Sequence, residues 1–270
     1  MARAAPADAA AAPSPAWIVV ARQELRDLWL GGRGLPLMIA FTVLLSVITY
    51  LTATNQELNF LEQHEAVSLT VQVAVAVGAL LALLVAADAF SGERERGTLE
   101  GLLLTPARRA DLAAGKLVAA ISLWVAALVL SVPYVWVLGH GVGAVGKPVA
   151  VGAVVGTLLA AGLTAFGVIV STFARSNRLS LSVCLLVLIA LFAPTQFPTG
   201  AQQGWAGELI QRVNPITAGE HYIGKLIIDG HPWSRAATWL VSPVAAAVLL
   251  AAIAIATAPR FLTLHGSGWR

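Results

Sequence analysis

Charged and turn-forming residues concentrate in one block of this chain, residues 91–116, whose sequence is SGERERGTLEGLLLTPARRADLAAGK. Acidic and basic side chains alternate over four consecutive positions of the block, Glu93, Arg94, Glu95 and Arg96. Such side chains form ion pairs and charge-assisted hydrogen bonds with a facing surface. No nucleophile lies beside a base in this pattern. The pattern therefore predicts a docking site and not a catalytic site.

The middle of the block has the signals of a short surface helix. Gly97 is expected to break the helix that precedes it, and Thr98 is expected to cap the next one. The apolar face of that short helix would comprise Leu99, Leu102 and Leu103. Thr105 and Pro106 predict a second cap and helix start. The alternative is a solvated connecting loop, which would need neither two caps nor three leucines.

Two segments resemble nucleotide-binding motifs, but neither meets the requirements of its motif. Residues 141–146 match the glycine spacing of a dinucleotide fingerprint, but they neither follow a strand nor open a helix in a βαβ unit. Gly115 and Lys116 resemble the end of a phosphate-binding loop. That motif needs glycine where Ala110 stands and serine or threonine where Leu117 stands. We therefore expect no ATP site and no other cofactor site in this chain.

Metal binding and ion-coupled transport are both disfavoured. The five histidines are scattered over loops and the tail without ligand spacing, and Cys184 lies alone in an apolar run. Asp88 is the main ionisable residue of the apolar runs. It lies near the end of its run, which favours a helix-end position over a functional carboxylate. Proton- and sodium-coupled carriers keep ionisable groups at mid-membrane depth, and this chain has almost none there.

The composition predicts an all-α polytopic membrane protein with six spans. The chain has 270 residues, of which 58% are hydrophobic and 11% charged, whereas soluble domains carry about 25% charged residues. A membrane-spanning helix needs about 20 apolar residues. Runs that meet this requirement, or nearly so, cover residues 35–54, 67–90, 117–138, 149–173, 179–194 and 236–258.

The distribution of basic residues predicts the orientation in the membrane. If the N-terminus is cytoplasmic, only four of the 17 Lys and Arg residues lie on the outer side, namely Lys147, Arg212, Lys225 and Arg235. Cytoplasmic loops carry the excess of Lys and Arg in membrane proteins. We therefore expect a multi-pass protein of the inner or plasma membrane with both termini in the cytoplasm. Since the basic residues are spread over short loops, no nucleic-acid partner is predicted.

The N-terminal segment divides into a tail and an amphipathic helix. Residues 1–13 are rich in Ala and Pro and lack the apolar core of a signal peptide, so we expect a disordered tail. Ser14 and Pro15 predict the start of a helix within residues 14–33. Trp17 and Trp29 lie near its two ends, and Arg22 and Arg26 lie on its polar face. This pattern favours a helix in the membrane interface over an ordinary surface helix.

Two further segments of the membrane region, residues 34–258, are distinctive. Gly152, Gly156 and Ala160 are four apart, which is typical of closely packed membrane helices but also follows from general Ala and Gly richness. The longest outer loop, residues 195–235, contains Asn214 followed by Pro215. Two short helices, 205–213 and 216–228, are expected to dip into the headgroup region. A cytoplasmic tail, residues 259–270, follows the last span.

The charged block resembles the signature of the membrane permeases of type-2 ATP-binding-cassette (ABC) exporters. The N-terminal helix, the six spans and the outer loop with its Asn-Pro agree with that family over nearly the whole chain, but only the block is specific. The matching residues are Ser91, Glu93, Arg94, Glu95, Gly97, Thr98, Leu99, Glu100, Leu102, Leu103, Thr105, Pro106, Gly115 and Lys116.

The resemblance implies a role for the block and a set of partners. In that family the block forms a cytoplasmic coupling helix that sits in a cleft of a separate ATPase subunit, which binds ATP and Mg. The permease works as a dimer, with an identical copy or a paralogue, on two ATPase subunits. Transferred to this chain, the partner contact would comprise Glu93, Arg94, Glu95, Arg96, Gly97, Thr98, Leu99, Glu100, Leu102, Leu103, Thr105, Pro106, Arg108 and Arg109.

Two other classes of function compete with this hypothesis. A channel or secondary carrier would need no ATPase, and gradient-driven transport by the purified chain would distinguish it. A non-transporting scaffold or an intramembrane enzyme is the other alternative. The lack of paired ionisable residues in the spans argues against the enzyme. Only the family resemblance argues against the scaffold.

Overall fold

The computed structural model describes residues 15–54, 60–143, 145–196 and 204–261. The predicted tail at residues 1–13, the cap at Ser14 and most of the tail at 259–270 lie outside the described residues. The described part is helical, and no strand occurs in it. Its α-helices are α1 Ala16–Trp29, α2 Gly34–Ala53, α3 Phe60–Asp88, α4 Ser91–Glu95, α5 Leu99–Leu103, α6 Arg109–Gly139, α7 Gly146–Phe173, α8 Asn177–Phe192, α9 Trp205–Val213, α10 Pro215–Ile227 and α11 Val241–Phe261.

The described residues include six helices long and apolar enough to cross a membrane, which confirms the predicted number. These are α2, α3, α6, α7, α8 and α11. Side chains such as Leu186 and Ile189 of α8 and Val248 of α11 are largely exposed. Exposed leucine, isoleucine and valine in such number suit contact with lipid and not with water.

Helices α3 and α7 form the centre of the bundle. Val71 in the first half of α3 lies against the first half of α7, while Phe90 just after α3 contacts Ser171 near the end of α7, so the two helices are parallel. Helix α6 packs against both of them, and α2 and α1 pack against α6. The charged block lies at one end of this bundle. We call the opposite end, where α9 and α10 lie, the distal end.

The small residues of α7 pack within this chain. Gly152, Gly156 and Ala160 are all buried. A Cβ atom at position 156 would lie 2.1 Å from Cη2 of Trp124 in α6, and one at position 152 would lie 2.9 Å from Cγ1 of Val71. These contacts favour the close-packing interpretation of the stripe over general Gly richness.

The two short helices predicted around Asn214 and Pro215 are present as α9 and α10. The sequence did not indicate how deeply α10 packs. Its apolar side chains, including Tyr222 and Leu226, are buried against α7, α3 and α8. A helix held in this way is part of the bundle and is not merely a surface loop.

Replacing Asn214 with alanine is expected to lower the free energy of unfolding by about 1–2 kcal/mol. The Asn214 Oδ1 atom accepts a hydrogen bond from the amide of Ile216 at 2.9 Å, and Nδ2 donates to the Leu191 carbonyl oxygen at 2.7 Å. Thermal unfolding of the purified protein in detergent measures the loss. Asn214→Asp is the comparison variant, because it keeps the capping acceptor while replacing the donor to Leu191 with a charged oxygen. An unchanged midpoint for Asn214→Ala would contradict the capping role.

Candidate functional site

The first part of the charged block folds into two short helices, α4 and α5. Their structure differs from the sequence-based expectation in three details. Helix α3 ends at Asp88, well before Gly97, because the amides of Phe90 and Ser91 donate to Ser171 Oγ at 2.9 Å each. Those two amides therefore leave the helical ladder. Gly97 instead separates α4 from α5, with a φ of 71° that favours glycine.

The two predicted threonine caps also differ from expectation. Thr98 stands at the N-cap position of α5, but its hydroxyl donates to the Glu93 carbonyl oxygen and caps no amide. The Thr105 hydroxyl donates to the carbonyl oxygen of Leu102, at the end of α5. Helix α6 begins only at Arg109, after Arg108 in extended conformation. Thr105 and Pro106 thus form a turn and not a helix start.

Lys116 is the centre of an ion-pair cluster that joins three elements. Its Nζ atom lies 2.7 Å from Glu24 Oε1 in α1 and 2.5 Å from Glu93 Oε1 in α4. The side chain is only 3% exposed, and Nζ also lies 5.5 Å from the ring centroid of Phe90. A lysine buried to this extent needs such partners, because desolvation of an unpaired ammonium is costly.

Gly115 explains how α1 comes close enough to Lys116. A Cβ atom at position 115 would lie 2.5 Å from Cγ1 of Val20 and 3.0 Å from the amide nitrogen of Ala21. The glycine therefore permits direct contact between α1 and the start of α6. The Gly-Lys pair that fails as a phosphate-binding motif has a structural role here. No local sequence pattern indicates this role, because Glu24 and Lys116 are 92 positions apart.

Asp88 joins the start of α2 to the block. Its Oδ2 atom lies 3.0 Å from Nη1 of Arg33 and 3.4 Å from Nη2 of Arg96. The carboxylate is thus held at the end of α3 by two guanidinium groups that precede α2 and follow α4. This arrangement agrees with the helix-end interpretation of Asp88. Both arginines are substantially exposed, so each pair contributes only modestly to stability.

The remaining charges of the alternating segment contact the junction between α7 and α8. The Arg94 guanidinium donates to the carbonyl oxygens of Ala174 and Thr172. The amide of Asn177, at the start of α8, donates to Glu95 Oε2 at 3.1 Å. Together with the pairs described above, the block contacts α1, α3, α6, α7 and α8, and the residue that precedes α2.

The outward side of the block remains free of these internal contacts. Leu99, Leu102 and Leu103 are half-buried and pack on the apolar cluster between α3 and α6, as their shared face predicts. The opposite side is exposed, and Leu104 is 73% exposed. We call this side the exposed ridge; it comprises Thr98, Glu100, Leu104, Pro106 and Arg108. Of the other predicted contact residues, Glu95, Arg96, Gly97 and Thr105 are exposed, while Glu93, Arg94 and Arg109 are half-buried.

The four residues predicted to characterise an interfacial helix lie on different sides of α1. Arg22 and Arg26 are exposed, and Trp17 is 41% exposed. Trp29 is half-buried, with Nε1 donating to Ser122 Oγ of α6 at 3.1 Å. Ala21 and Leu28 are buried, since α1 packs along α6. The position of α1 in a membrane interface remains a prediction.

A cavity of about 760 Å³ lies behind the block and is lined by its charges. Its walls include Glu24, Arg33, Asp88, Glu93 and Lys116. Glu24, Asp88 and Glu93 lie at ion-pair distance from lysine or arginine, whereas Asp27, which also lines the cavity, accepts a hydrogen bond from Gln23. Over the ranges that the structure describes, no three His, Cys, Asp or Glu residues cluster so as to hold a metal ion.

Comparison with known families agrees with the helical architecture. The family model described as ABC-2 family transporter protein matches residues 18–263, nearly the whole chain. The chain belongs to the ABC-2 transporter family. It is therefore a multi-pass membrane protein of the permease kind, a family that normally has no enzymatic activity of its own and generally works with ATPase partners. No curated protein matches this ABC-2 family chain significantly.

Proposed function

We propose that this chain is the permease subunit of an ATP-driven exporter and works as a dimer, with an identical copy or a paralogue, on two separate ATPase subunits. One observation carries the proposal. The charged block is tied to the bundle by its own charges, while the exposed ridge faces away from the bundle. Such a surface suits a partner that pushes on the protein from outside the membrane.

The contacts of the block suggest how a push would reach the spans. Lys116 ties Glu93 of the block to Glu24 of α1, and Arg94 ties the block to the end of α7. A displacement of α4 and α5 would therefore reach several spans at once. Because packed helices move as near-rigid bodies, closure of the ATPase subunits would tilt α1, α3, α6 and α7 together. A path would then open along the interface between the two permeases.

The distribution of basic residues supports the orientation. The exposed ridge and α1 carry Arg108, Arg22 and Arg26, while the distal end has few basic residues. By the positive-inside rule the block would face the cytoplasm of the inner or plasma membrane, with both termini on that side. ATP and Mg would be bound by the ATPase subunits, since the sequence of this chain lacks a phosphate-binding loop.

Reversing the charge of Glu100 tests the docking surface. Affinity-purified protein from its native membranes should carry Mg-dependent ATP hydrolysis, and Glu100→Lys should reduce the hydrolysis that co-purifies at least about tenfold. The reason is that Glu100 is exposed on α5 and would lie at the centre of the contact.

Glu208→Lys is the matched control for Glu100→Lys, because Glu208 is an exposed glutamate at the distal end. It should leave the co-purifying hydrolysis unchanged. Equal loss in both variants, or no loss in Glu100→Lys, would contradict docking on the exposed ridge. Unfolding of the two variants at the same temperature would confirm that neither change acts through stability.

A further inference from the structure

A second polar cavity, of about 380 Å³, lies at the distal end, far from the charged block. It opens where α10 meets α3, α9 and the short 3-10 turn that follows α8. We call it the distal cavity. Ligand-binding pockets in proteins have volumes of about 300–1,000 Å³, so the distal cavity could hold a small organic molecule.

Helix α10 presents one polar stripe to the distal cavity. Its opposite, apolar face is buried in the bundle, which fixes the rotation of the helix. Thr217, Glu220, His221, Gly224 and Lys225 recur at intervals of one, three or four positions and line the cavity. A Cβ atom at position 224 would have no neighbour within 4 Å, so the glycine leaves this part of the cavity open.

Glu220 provides the uncompensated charge of the distal cavity. Its carboxylate forms none of the ion pairs found among the described residues. The other charged residues that line the cavity are Lys225 in α10 and Asp229 just after the helix, and their charges are opposite in sign. Burial raises the pKa of Glu220 to about 7. Above that pH the cavity therefore holds one net negative charge.

Several of the other lining side chains can accept hydrogen bonds, while Pro194 and Ile228 are apolar. Gln72 of α3, Thr195 and Thr217 contribute amide or hydroxyl oxygens. His221 Nε2 lies 2.9 Å from Gln211 Oε1, and its ring lies 4.7 Å from the Trp239 ring. Burial, together with the nearby Lys225 ammonium, lowers the pKa of His221, so its ring is neutral near pH 7 and above.

We propose that the distal cavity binds an organic cation whose primary ammonium group pairs with the Glu220 carboxylate. An ammonium has three donors and no acceptor, which fits one carboxylate surrounded by amide and hydroxyl oxygens. A metal ion fits less well, because the described residues contain no cluster of three His, Cys, Asp or Glu ligands. The assignment concerns binding by this chain alone and does not depend on an ATPase partner.

Three ligands that differ only in their polar group test the site. Purified protein in detergent is unfolded thermally at pH 8 with phenethylamine, with 2-phenylethanol, which is neutral, and with phenylacetate, which is an anion. Only phenethylamine should raise the unfolding temperature, by about 2–4 °C at saturating concentration. Equal shifts with amine and alcohol would overturn the proposal, because they would show partitioning without charge recognition.

Glu220→Gln supplies the decisive variant. Glutamine keeps the shape and removes the charge, so the protein should fold at least as stably while the shift with phenethylamine is lost. Glu208→Gln, at an exposed glutamate of α9, should keep the full shift. Equilibrium dialysis with radiolabelled phenethylamine gives an independent readout that does not depend on unfolding. Undiminished binding by Glu220→Gln would overturn the proposal.

The pH dependence provides a second readout. Glu220 must be ionised to pair with the ammonium, so phenethylamine binding should weaken several-fold between pH 8 and pH 6, as Glu220 takes up a proton. The amine itself stays protonated over this range. Lys225, Asp229 and His221 also face the cavity, and because the pKa of His221 is lowered, its ring gains a proton only at lower pH, which acts in the same direction. Equal binding at pH 8 and pH 6 would contradict a role for Glu220.

Discussion

Replacing Lys116 with methionine is expected to lower the free energy of unfolding by roughly 3–5 kcal/mol. The change keeps most of the volume of the side chain but removes the cation shared by Glu24 and Glu93. The side chains of these two glutamates are only 24% and 17% exposed in the unchanged protein. Breaking a buried pair from one side is costly because the remaining charge stays desolvated. Thermal or denaturant unfolding of the purified protein in detergent measures the loss.

A double-mutant cycle separates the ion pairs from packing. Lys116→Met combined with Glu93→Gln should be more stable than Lys116→Met alone, because one uncompensated carboxylate has been removed. Arg108→Met is the control, since Arg108 is exposed in the same block and should change stability by about 0.5 kcal/mol at most. A Lys116→Met protein as stable as the Arg108→Met protein would show that the cluster does not hold the block.

The same variant should loosen the block from α1. Glu24 in α1 and Glu93 in α4 contact each other only through Lys116 in the ion pairs described. Without the ammonium, limited proteolysis after Arg94, Arg96, Arg108 or Arg109 should be faster by about tenfold or more, as the local opening free energy falls. Unchanged cleavage would indicate that α4 and α5 are held by their leucine contacts alone.

Replacing Gly156 with valine is the second large effect that we expect. A Cβ atom at that position would lie 2.1 Å from Cη2 and 2.3 Å from Cζ2 of Trp124. The indole is 1% exposed and its Nε1 donates to Thr157 Oγ1 at 3.0 Å, so the ring has nowhere to move. Overpacking of a closed core costs about 1–3 kcal/mol, and occasionally more. We expect Gly156→Ala to fall in that range and Gly156→Val to exceed it.

Gly162 provides the matched control in the same helix. A Cβ atom there would approach Ala247 N at 3.5 Å, an ordinary contact distance. Gly162→Ala should therefore be neutral or stabilising by up to about 1 kcal/mol through helix propensity. Shortening the indole with Trp124→Leu should recover part of the stability of Gly156→Ala. If Gly156→Ala and Gly162→Ala unfold at the same temperature, α6 and α7 do not pack as described.

The spans could be predicted from sequence because their signal is local. Six long apolar stretches separated by polar loops are sufficient to indicate six membrane helices, and all six are present. Asn214 followed by Pro215 also indicates a helix start by itself, because the cap and the fixed φ of proline act within one turn. These features need no knowledge of the rest of the fold.

The details of the charged block could not be predicted, because they depend on residues distant in sequence. Helix α3 ends at Asp88 because Ser171, about 80 positions later, accepts from the amides that would continue the helix. No local sequence pattern marks Glu24 as a contact residue. It reaches Lys116 only because α1 packs on Gly115. The alternating charges suggested an outward docking face, whereas Glu93 and Arg94 contact their own chain. Their contact with a partner remains a prediction.

The most direct test of the proposed function is photo-crosslinking in native membranes. A photoreactive amino acid replaces Leu104 of the exposed ridge, or Trp205 at the distal end, which is 84% exposed. The membranes also receive a photoreactive ATP analogue, which labels ATP-binding polypeptides. After irradiation, the tagged chain is purified under denaturing conditions and probed for a crosslinked polypeptide that carries this label. We predict such a product from position 104 and none from position 205. An ATP-labelled product from position 205, or its absence at position 104, would contradict an ATPase docked on the charged block.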